Sequence, residues 1–350
     1  MKKMMKIASV LLALVFAMLS FAACGNTTPT TTTEADAASD TDTTATPDTP
    51  TAKKKIGVIQ YISHPSLDNC YAGVEAALTE RFGENVEITR QIGSDAAADT
   101  DCATYASQFA AQNYDMIVAI ATPAASSAVA AAEDKDIPVV FCAVSDPMAV
   151  GLVESMEKPG YNCSGTSDVL DMAAQVKLIR AMQPNVKKIG VLYTTSEANS
   201  ITQLGLLEEA AKEYGIEIVA SGIQNDADIP AAATALAAKV DCFNNFTDNK
   251  VVNNLAVVLE ATNAAGIPVY GSEIEQVKNG CLASVSIDYV ALGKVTGNMA
   301  ADALEGAKLA DMAVKTISDA TPVVNTDVLA AFGMTLSADY ADVETVTTNK

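Results

Sequence analysis

Short polar residues follow several buried apolar runs in this 350-residue chain. The clearest case is Ser145-Asp146-Pro147, directly after the continuous apolar run at 139–144, which is typical of a strand buried on both faces. A hydroxyl and a carboxylate at a strand end can bind the charged groups of a small solute, or they can cap the helix that follows. Spacing alone does not separate these two interpretations.

Other predicted strands end in the same kind of polar group. In open α/β sheets, ligands bind beyond the carboxyl ends of the strands, where helix N-termini direct backbone N–H groups outward. These strand ends therefore predict a ligand-binding cleft. The candidate ligand-binding residues are Tyr61, Ser63, Asp68, Thr122, Ser145, Asp146, Ser196, Asn199, Thr247, Glu273 and Asp288.

Catalytic chemistry finds little support in the sequence. His64 is the only histidine. A Cys/His pair would therefore need this residue, and a histidine-rich metal site is not available. Neither GxGxxG nor GxxxxGK[ST] occurs, so nucleotide phosphates lack their usual binding loop. We expect a protein that is not an enzyme and needs no cofactor. Its net charge of −21 argues against nucleic acid as a partner.

An internal repeat predicts the elements that position the strand ends. The segment KKIGVI at 54–59 returns as KKIGVL at 187–192, and IPVV at 137–140 returns as IPVY at 267–270. Strands alternate with helices in both copies, which is typical of parallel, doubly wound sheets. The sequence therefore predicts an α/β protein with two similar doubly wound lobes joined by a hinge.

The chain continues beyond the second copy, and its late elements set the predicted boundaries. We expect an amphipathic helix at about 289–305 to return to the first lobe, with crossings near 165, 285 and 315. The predicted N-terminal lobe is 53–165 plus about 285–312, and the predicted C-terminal lobe is 166–284 plus about 313–345.

The N-terminus predicts export and a lipid anchor. Three lysines and a short apolar run make residues 1–23 a secretory signal. Cys24 follows directly and resembles a lipobox cysteine that takes a diacylglycerol, with plain secretion as the alternative. Residues 24–52 form a Thr-rich segment with too little apolar surface to fold, so we expect a disordered tether. The expected location is the cell membrane, facing the extracytoplasmic side.

Four motifs, in family order, resemble the ABC-transporter substrate-binding lipoproteins of the tryptophan/tyrosine-binding group. They are KIGVIQYISHPSLD, DMIVAIATPAA, IPVVFCAVSDPMAVGLV and PGYNCSGTSD, and the likeness runs from about Lys53 to near Ala341. The resemblance implies a type I periplasmic-binding fold, in which two lobes close on a solute and deliver it to a membrane permease. It also implies that the solute is an amino acid, with aromatic amino acids as the first candidates.

An amino acid needs donors for its carboxylate and an acid for its ammonium group. The candidates are Thr122 and Ser145 for the carboxylate, and Asp146, Glu273 and Asp288 for the ammonium group. The candidates for flanking an aromatic ring are Tyr61, Tyr193 and Tyr270. A sugar or nucleoside remains an alternative solute, and presentation of the solute to a sensor kinase or chemoreceptor remains an alternative role. We expect a monomer.

Overall fold

The computed structural model of this chain describes residues 53–317 and 320–349. The predicted secretory signal, Cys24 and the tether lie outside these residues. In chain order, the strands are β1 (Lys54–Gln60), β2 (Val86–Ile92), β3 (Met116–Ile120), β4 (Val139–Cys142), β5 (Cys163–Ser167), β6 (Lys188–Thr194), β7 (Glu217–Ile223), β8 (Cys242–Asn244), β9 (Val269–Tyr270), β10 (Ala283–Ser286), β11 (Lys315–Thr316), β12 (Thr321–Asn325) and β13 (Glu344–Val346). The α-helices are α1 (Pro65–Phe82), α2 (Ala98–Ala111), α3 (Thr122–Ala132), α4 (Met172–Met182), α5 (Ala198–Lys212), α6 (Ile229–Ala237), α7 (Asn249–Asn253), α8 (Leu255–Ala265), α9 (Ile274–Lys278), α10 (Tyr289–Leu304) and α11 (Thr326–Ala331).

The first lobe is built on a six-stranded parallel sheet in the order β11-β5-β4-β3-β1-β2. Strands β3 and β4 are buried along their whole length, as their continuous apolar runs predict. The order of strands reverses between β1 and β3, which are neighbours in the sheet. Ligands in such sheets bind beyond the carboxyl ends of the strands at this point of reversal.

The second lobe repeats the plan with four parallel strands in the order β7-β6-β8-β9. A smaller sheet, β10-β12-β13, continues from it. Two main-chain hydrogen bonds join them, from Gly271 N–H to Ala283 O (2.9 Å) and from Leu282 N–H to Val269 O (2.6 Å). The predicted α/β class and the two lobes are therefore confirmed.

The predicted boundaries between the lobes fall a few residues early. The boundary at 165/166 lies inside β5, whose pairing with β4 keeps it in the first lobe. The boundary at 312/313 lies just before β11, which also pairs with β5 in the first lobe. The strand β10 belongs to the second lobe, because it pairs antiparallel with β12. The late helix α10 packs on α1 in the first lobe, as expected.

Helices α1 and α10 approach so closely that their contact requires glycine. A Cβ atom added to Gly73 would lie 2.2 Å from the carbonyl oxygen of Val290, and one added to Gly293 would lie 2.1 Å from that of Cys70. The two backbones therefore touch where a side chain would otherwise stand. This contact joins the first helix of the first lobe to a helix that returns to it after the second lobe's four-stranded sheet.

Candidate functional site

A cavity lies in the cleft between the lobes, beyond the carboxyl ends of β3 and β4. It is narrow in this arrangement of the lobes, because a water-sized sphere can be centred in only about 10 Å³ of it, so a larger solute enters only when the lobes move apart. The residues that line it are His64, Ser66, Leu67, Ala121, Thr122, Ala143, Ser145, Asp168, Asn199, Thr247, Asn249, Val252 and Tyr289. Both lobes contribute, so the cavity is complete only when the lobes meet.

Two helices of the first lobe begin at this cavity without a side-chain cap. His64 precedes α1 and Ala121 precedes α3, and neither side chain accepts a hydrogen bond from its helix. Five helices are capped by acidic or amide side chains, namely α4 by Asp171, α7 by Asp248, α9 by Glu273, α10 by Asp288 and α11 by Asn325. Helices α2, α5, α6 and α8 also begin without a side-chain cap. The first N–H groups of a helix have no helical partner, and they favour an anion. This side of the cavity suits a carboxylate.

Strained backbone holds both strand ends at the cavity. Ala121 follows β3 with φ of 80°, and Ala143 follows β4 with φ of 57°. This region is ordinarily occupied by glycine, and residues held in it cost about 1–3 kcal/mol each. The strain turns the chain sharply at the two strand ends and fixes where α3 begins.

Asp168 is the carboxylate that faces the cavity. Its side chain is 3% exposed and accepts hydrogen bonds from the Ser145 hydroxyl (2.8 Å) and the Tyr289 hydroxyl (3.0 Å). Burial raises the pKa of Asp168, while these two donors act in the opposite direction. Among the residues that the structure describes, no positively charged group pairs with this carboxylate, so a cation that entered the cavity would be stabilised by it.

Gln203 of α5 connects the two lobes at the cavity. Its side-chain amide donates to the Ser145 hydroxyl at 2.8 Å and to the Thr247 hydroxyl at 2.6 Å. Ser145 belongs to the first lobe and Thr247 to the second. The contact therefore exists only in the closed arrangement of the lobes.

Glu197 organises the second-lobe side of the cavity without lining it. One of its carboxylate oxygens accepts hydrogen bonds from the Asn249 side chain (2.6 Å), the Asn249 main chain (3.0 Å) and the Asn199 side chain (3.0 Å). Asn249 Oδ1 in turn lies 3.3 Å from Nε2 of His64, which belongs to the first lobe. Burial, and then the charge of Asp248, raise the pKa of Glu197 to about 8. Burial lowers the pKa of His64 to about 4.

The structure brings four of the predicted site residues together at the cavity. They are Thr122, Ser145, Asn199 and Thr247. Two of them hold buried atoms that have no hydrogen-bond partner among the described residues, Thr122 Oγ1 and Asn199 Oδ1. Whether these four residues contact a solute stays a prediction.

Several other candidates have partners elsewhere. Asp68 forms an ion pair with Arg90 and accepts hydrogen bonds from Gln60 (3.0 Å) and Ser63 (3.1 Å). The Ser63 hydroxyl therefore donates to the carboxylate of this ion pair. Tyr61 lies in the core of the first lobe, where its hydroxyl meets Asp99.

The remaining candidates serve local structure or lie at the surface. Glu273 accepts from two main-chain N–H groups at 2.7 Å, and Asp288 from two at 2.9 Å, so both cap helices. Asp146 accepts from Ala149 N–H at 2.9 Å within its turn. Ser196 is exposed. None of the residues Asp146, Ser196, Glu273 and Asp288 lines the cavity.

Nine cavity residues were not among the predicted ones, and five of the nine have polar side chains. These five are Asp168, His64, Ser66, Asn249 and Tyr289. Asp168 stands at the end of β5, and it was accessible to the same strand-end argument that found Ser145. Strand β5 reads Cys-Ser-Gly-Thr-Ser and lacks the apolar run that marks a buried strand, so its end was not recognised.

Two further observations bear on the class of protein. Within residues 53–317 and 320–349, no group of three or more His, Cys, Asp or Glu side chains could hold a metal ion. Over the same ranges, no helix is long and apolar enough to cross a membrane.

Fold and cleft together define a two-lobed α/β protein with a cavity between its lobes, beyond the strand ends near the point where strand order reverses. The chain matches the family described as ABC transporter substrate binding protein over residues 55–343. It therefore belongs to that family, and it is a substrate-binding protein of the ABC-transporter type with the type I periplasmic-binding fold.

Similar proteins are known from bacteria. A tyrosine-binding protein of Clostridioides difficile (strain R20291) is 39% identical over 291 residues, which cover 82% of this chain and 83% of that protein. The crystal structure of an ABC domain from Streptococcus pneumoniae in complex with L-Trp is 34% identical, with a TM-score of 0.80, covering 84% of this chain and all of that one.

A third relative shows which arrangement of the lobes this chain adopts. It is a substrate-binding protein with adhesive properties from Clostridium difficile, in a ligand-free, open structure. It is 38% identical and covers 85% of this chain and all of its own, yet its TM-score is only 0.64. The arrangement of the lobes in this chain thus resembles that of the Trp-bound structure more than that of the open one. The open structure is nevertheless the more similar of the two in sequence, at 38% against 34% identity.

Proposed function

We propose that this protein captures an aromatic amino acid between its lobes and delivers it to an ABC importer. One observation carries the proposal, namely the juxtaposition of uncapped helix N-termini and buried Asp168 in a single cavity. An amino acid presents an anion and a cation a few ångströms apart, and this cavity offers a partner of opposite sign for each.

The two charged groups have separate partners in this proposal. The N-termini of α1 and α3, with the hydroxyls of Ser66 and Thr122, receive the carboxylate. Asp168 receives the ammonium group, and its two hydroxyl partners hold it in place. Leu67 and Val252 supply apolar surface for the side chain of the solute. The tyrosine-binding and Trp-bound relatives support an aromatic amino acid as the solute.

The importer and the anchor are part of the same proposal. Cys24 carries a diacylglycerol, the residues up to 52 tether the folded body, and the protein faces the extracytoplasmic side of the membrane. Its sequence support is the basic and apolar segment that precedes Cys24. Cys24→Ala should release the protein from the membrane fraction. A Cys24→Ala protein that stays in that fraction with unchanged mass would contradict the anchor but not solute binding.

Binding by the purified protein tests the central claim. At a thousandfold excess of solute over Kd, stability rises by about 4 kcal/mol, and the melting temperature by on the order of 10 °C. We expect tyrosine or tryptophan to produce such a shift. A deaminated analogue of the same amino acid should bind about 100-fold more weakly, because it leaves Asp168 without its cation.

Asp168→Asn separates the ammonium partner from general stability. The variant should lose about 100-fold in affinity for the amino acid, while its affinity for the deaminated analogue stays the same or rises. Asp171→Asn is the matched control, because Asp171 is exposed, lies three positions further on and only caps α4. An equal loss for both ligands in Asp168→Asn would remove Asp168 from the proposed role.

A further inference from the structure

Asn199 places a hydrogen-bond acceptor at the cavity that the protein itself leaves unused. Its side chain is 4% exposed and lines the cavity at the start of α5. The atom Oδ1 is buried and has no hydrogen-bond partner among the described residues. A buried acceptor without a donor lowers the stability of the folded protein, so its retention at a binding cavity requires an explanation.

The orientation of this amide is fixed by its other atom. Asn199 Nδ2 donates to a carboxylate oxygen of Glu197 at 3.0 Å and to the main-chain carbonyl of Thr247 at 3.2 Å. The carbonyl can only accept, and the Glu197 oxygen concerned already accepts from the main-chain N–H (3.0 Å) and side-chain amide (2.6 Å) of Asn249. A flipped amide would set its own oxygen against these two oxygens, so Oδ1 must be the atom that remains free.

The acceptor lies on the side of the cleft opposite the groups proposed for the solute's charges. The uncapped helix ends and Asp168 belong to the first lobe or to the crossing that leaves it, whereas Asn199 belongs to the second lobe. Glu197 cannot replace Asp168 as the ammonium partner, because it does not line the cavity and the N–H groups of Asn199, Asn249 and Lys250 engage its oxygens. The part of the solute that meets Asn199 is then its side chain.

We infer that Asn199 selects aromatic amino acids whose ring carries a hydrogen-bond donor. This inference rests on the proposed function and narrows its solute class. The phenolic O–H of tyrosine and the indole N–H of tryptophan qualify, and phenylalanine does not. A site built to receive a donor rejects the analogue that lacks it far more strongly than an apolar pocket rejects a missing methylene group.

A ligand series on the unmodified protein tests this without any risk of misfolding. Titration calorimetry should give Kd values for tyrosine and 4-aminophenylalanine that are about 100-fold lower than those for phenylalanine and 4-fluorophenylalanine. The last two compounds keep the ring but bring no donor. Equal affinities within about threefold across the series would overturn the role of Asn199 and leave the proposed aromatic solute intact. If neither these four compounds nor tryptophan binds, both proposals fail.

Asn199→Leu assigns the selectivity to this residue. The variant should bind tyrosine about 100-fold more weakly and phenylalanine at least as tightly as before, so the preference disappears. Thr122→Val is the comparison, because it removes a hydroxyl proposed to meet the solute carboxylate and should weaken both amino acids equally. If Asn199→Leu, with a normal melting temperature, weakens tyrosine and phenylalanine equally, Asn199 meets the ammonium group and the inference is wrong.

Discussion

Glu197 is 1% exposed, and burial beside Asp248 raises its pKa to about 8. Glu273, equally buried at the start of α9, has a pKa raised to about 7, chiefly by burial. A carboxyl group with a raised pKa binds its proton more tightly in the folded than in the unfolded protein. Its stabilising contribution is therefore fully present below its ordinary pKa of 4.5 and is lost as pH rises through the raised value.

His64 has the opposite effect at lower pH. Its pKa is lowered from 6.5 to about 4, so the unfolded chain binds more protons between these values and stability rises with pH there. Above pH 6.5 this contribution is constant. Between about pH 6.5 and 8, the change of stability with pH therefore comes from the carboxyl groups of Glu197 and Glu273.

We expect the melting temperature of the ligand-free protein to fall by a few degrees between pH 6.5 and 8. One titrating carboxyl group changes stability by at most about 1.4 kcal/mol per pH unit. Glu197→Gln should flatten the curve, because an amide does not titrate. The exposed Glu260→Gln serves as the control and should keep the wild-type slope. Equal slopes in all three proteins would contradict the raised pKa of Glu197.

At this scale the sequence predicts part of the site. Thr122 and Ser145 were found because each directly follows a strand rich in apolar residues. Asp168 was missed because β5 is polar, although it is buried. Asp146 and Glu273 were included because a helix cap and a ligand contact need the same residue types, and only the three-dimensional contacts distinguish them.

At the scale of the elements, the backbone just after β3 and β4 is strained, and the repeat in the sequence does not predict this strain. Ala121 occupies a backbone region that glycine adopts freely, so replacing it with glycine removes strain of about 1–3 kcal/mol. The greater freedom of glycine in the unfolded chain offsets about 0.5–1 kcal/mol of that gain.

Ala121→Gly should consequently leave the free energy of unfolding unchanged or raise it by up to about 2 kcal/mol. Ala130→Gly is the matched control, because Ala130 is exposed within α3 and has ordinary helical geometry. It should lower the same free energy by about 1 kcal/mol. Urea denaturation of both variants measures the difference. A loss in Ala121→Gly as large as that in Ala130→Gly would show that Ala121 is not strained.

The repeat predicts most elements within a few residues, since long strands and helices carry strong periodic patterns. The repeated segments at 54–59 and 187–192 form β1 (Lys54–Gln60) and β6 (Lys188–Thr194). Strand β11 has only two residues and owes its existence to pairing with β5, so no local pattern announces it. This is why the predicted boundary at 312/313 precedes the true end of the first lobe.

Over the whole molecule, a few contacts across the cleft hold the lobes in the arrangement seen here. Gln203 meets Ser145, and His64 meets Asn249. The net contribution of such a hydrogen bond to stability is about 0.5–1.5 kcal/mol. A few of them can shift the equilibrium between open and closed forms, but they do not make the closed form the sole one populated. Solute that binds both lobes adds to the closed side of this balance.

Gln203→Ala should move the ligand-free protein toward the open form and weaken solute binding by about 5–10-fold, because closure then gains fewer contacts. Small-angle scattering should show a larger radius of gyration for this variant without solute, and the wild-type radius at saturation. Gln183→Ala, at a glutamine whose amide contacts Asp241 within the second lobe, is the control. Identical radii for both variants at every solute concentration would exclude a role for Gln203 in closure.

The glycine contact between α1 and α10 also bears on the order of folding. Gly73 and Gly293 are 220 residues apart in the chain, so the first lobe is completed only after the four-stranded sheet of the second lobe has been synthesised. The second lobe's four-stranded sheet lies within 188–270 and can form as that stretch emerges. The first five strands must meanwhile persist with one face of α1 exposed. A nascent chain therefore carries an incomplete, aggregation-prone lobe through most of its synthesis, and this is where a chaperone has the most to protect.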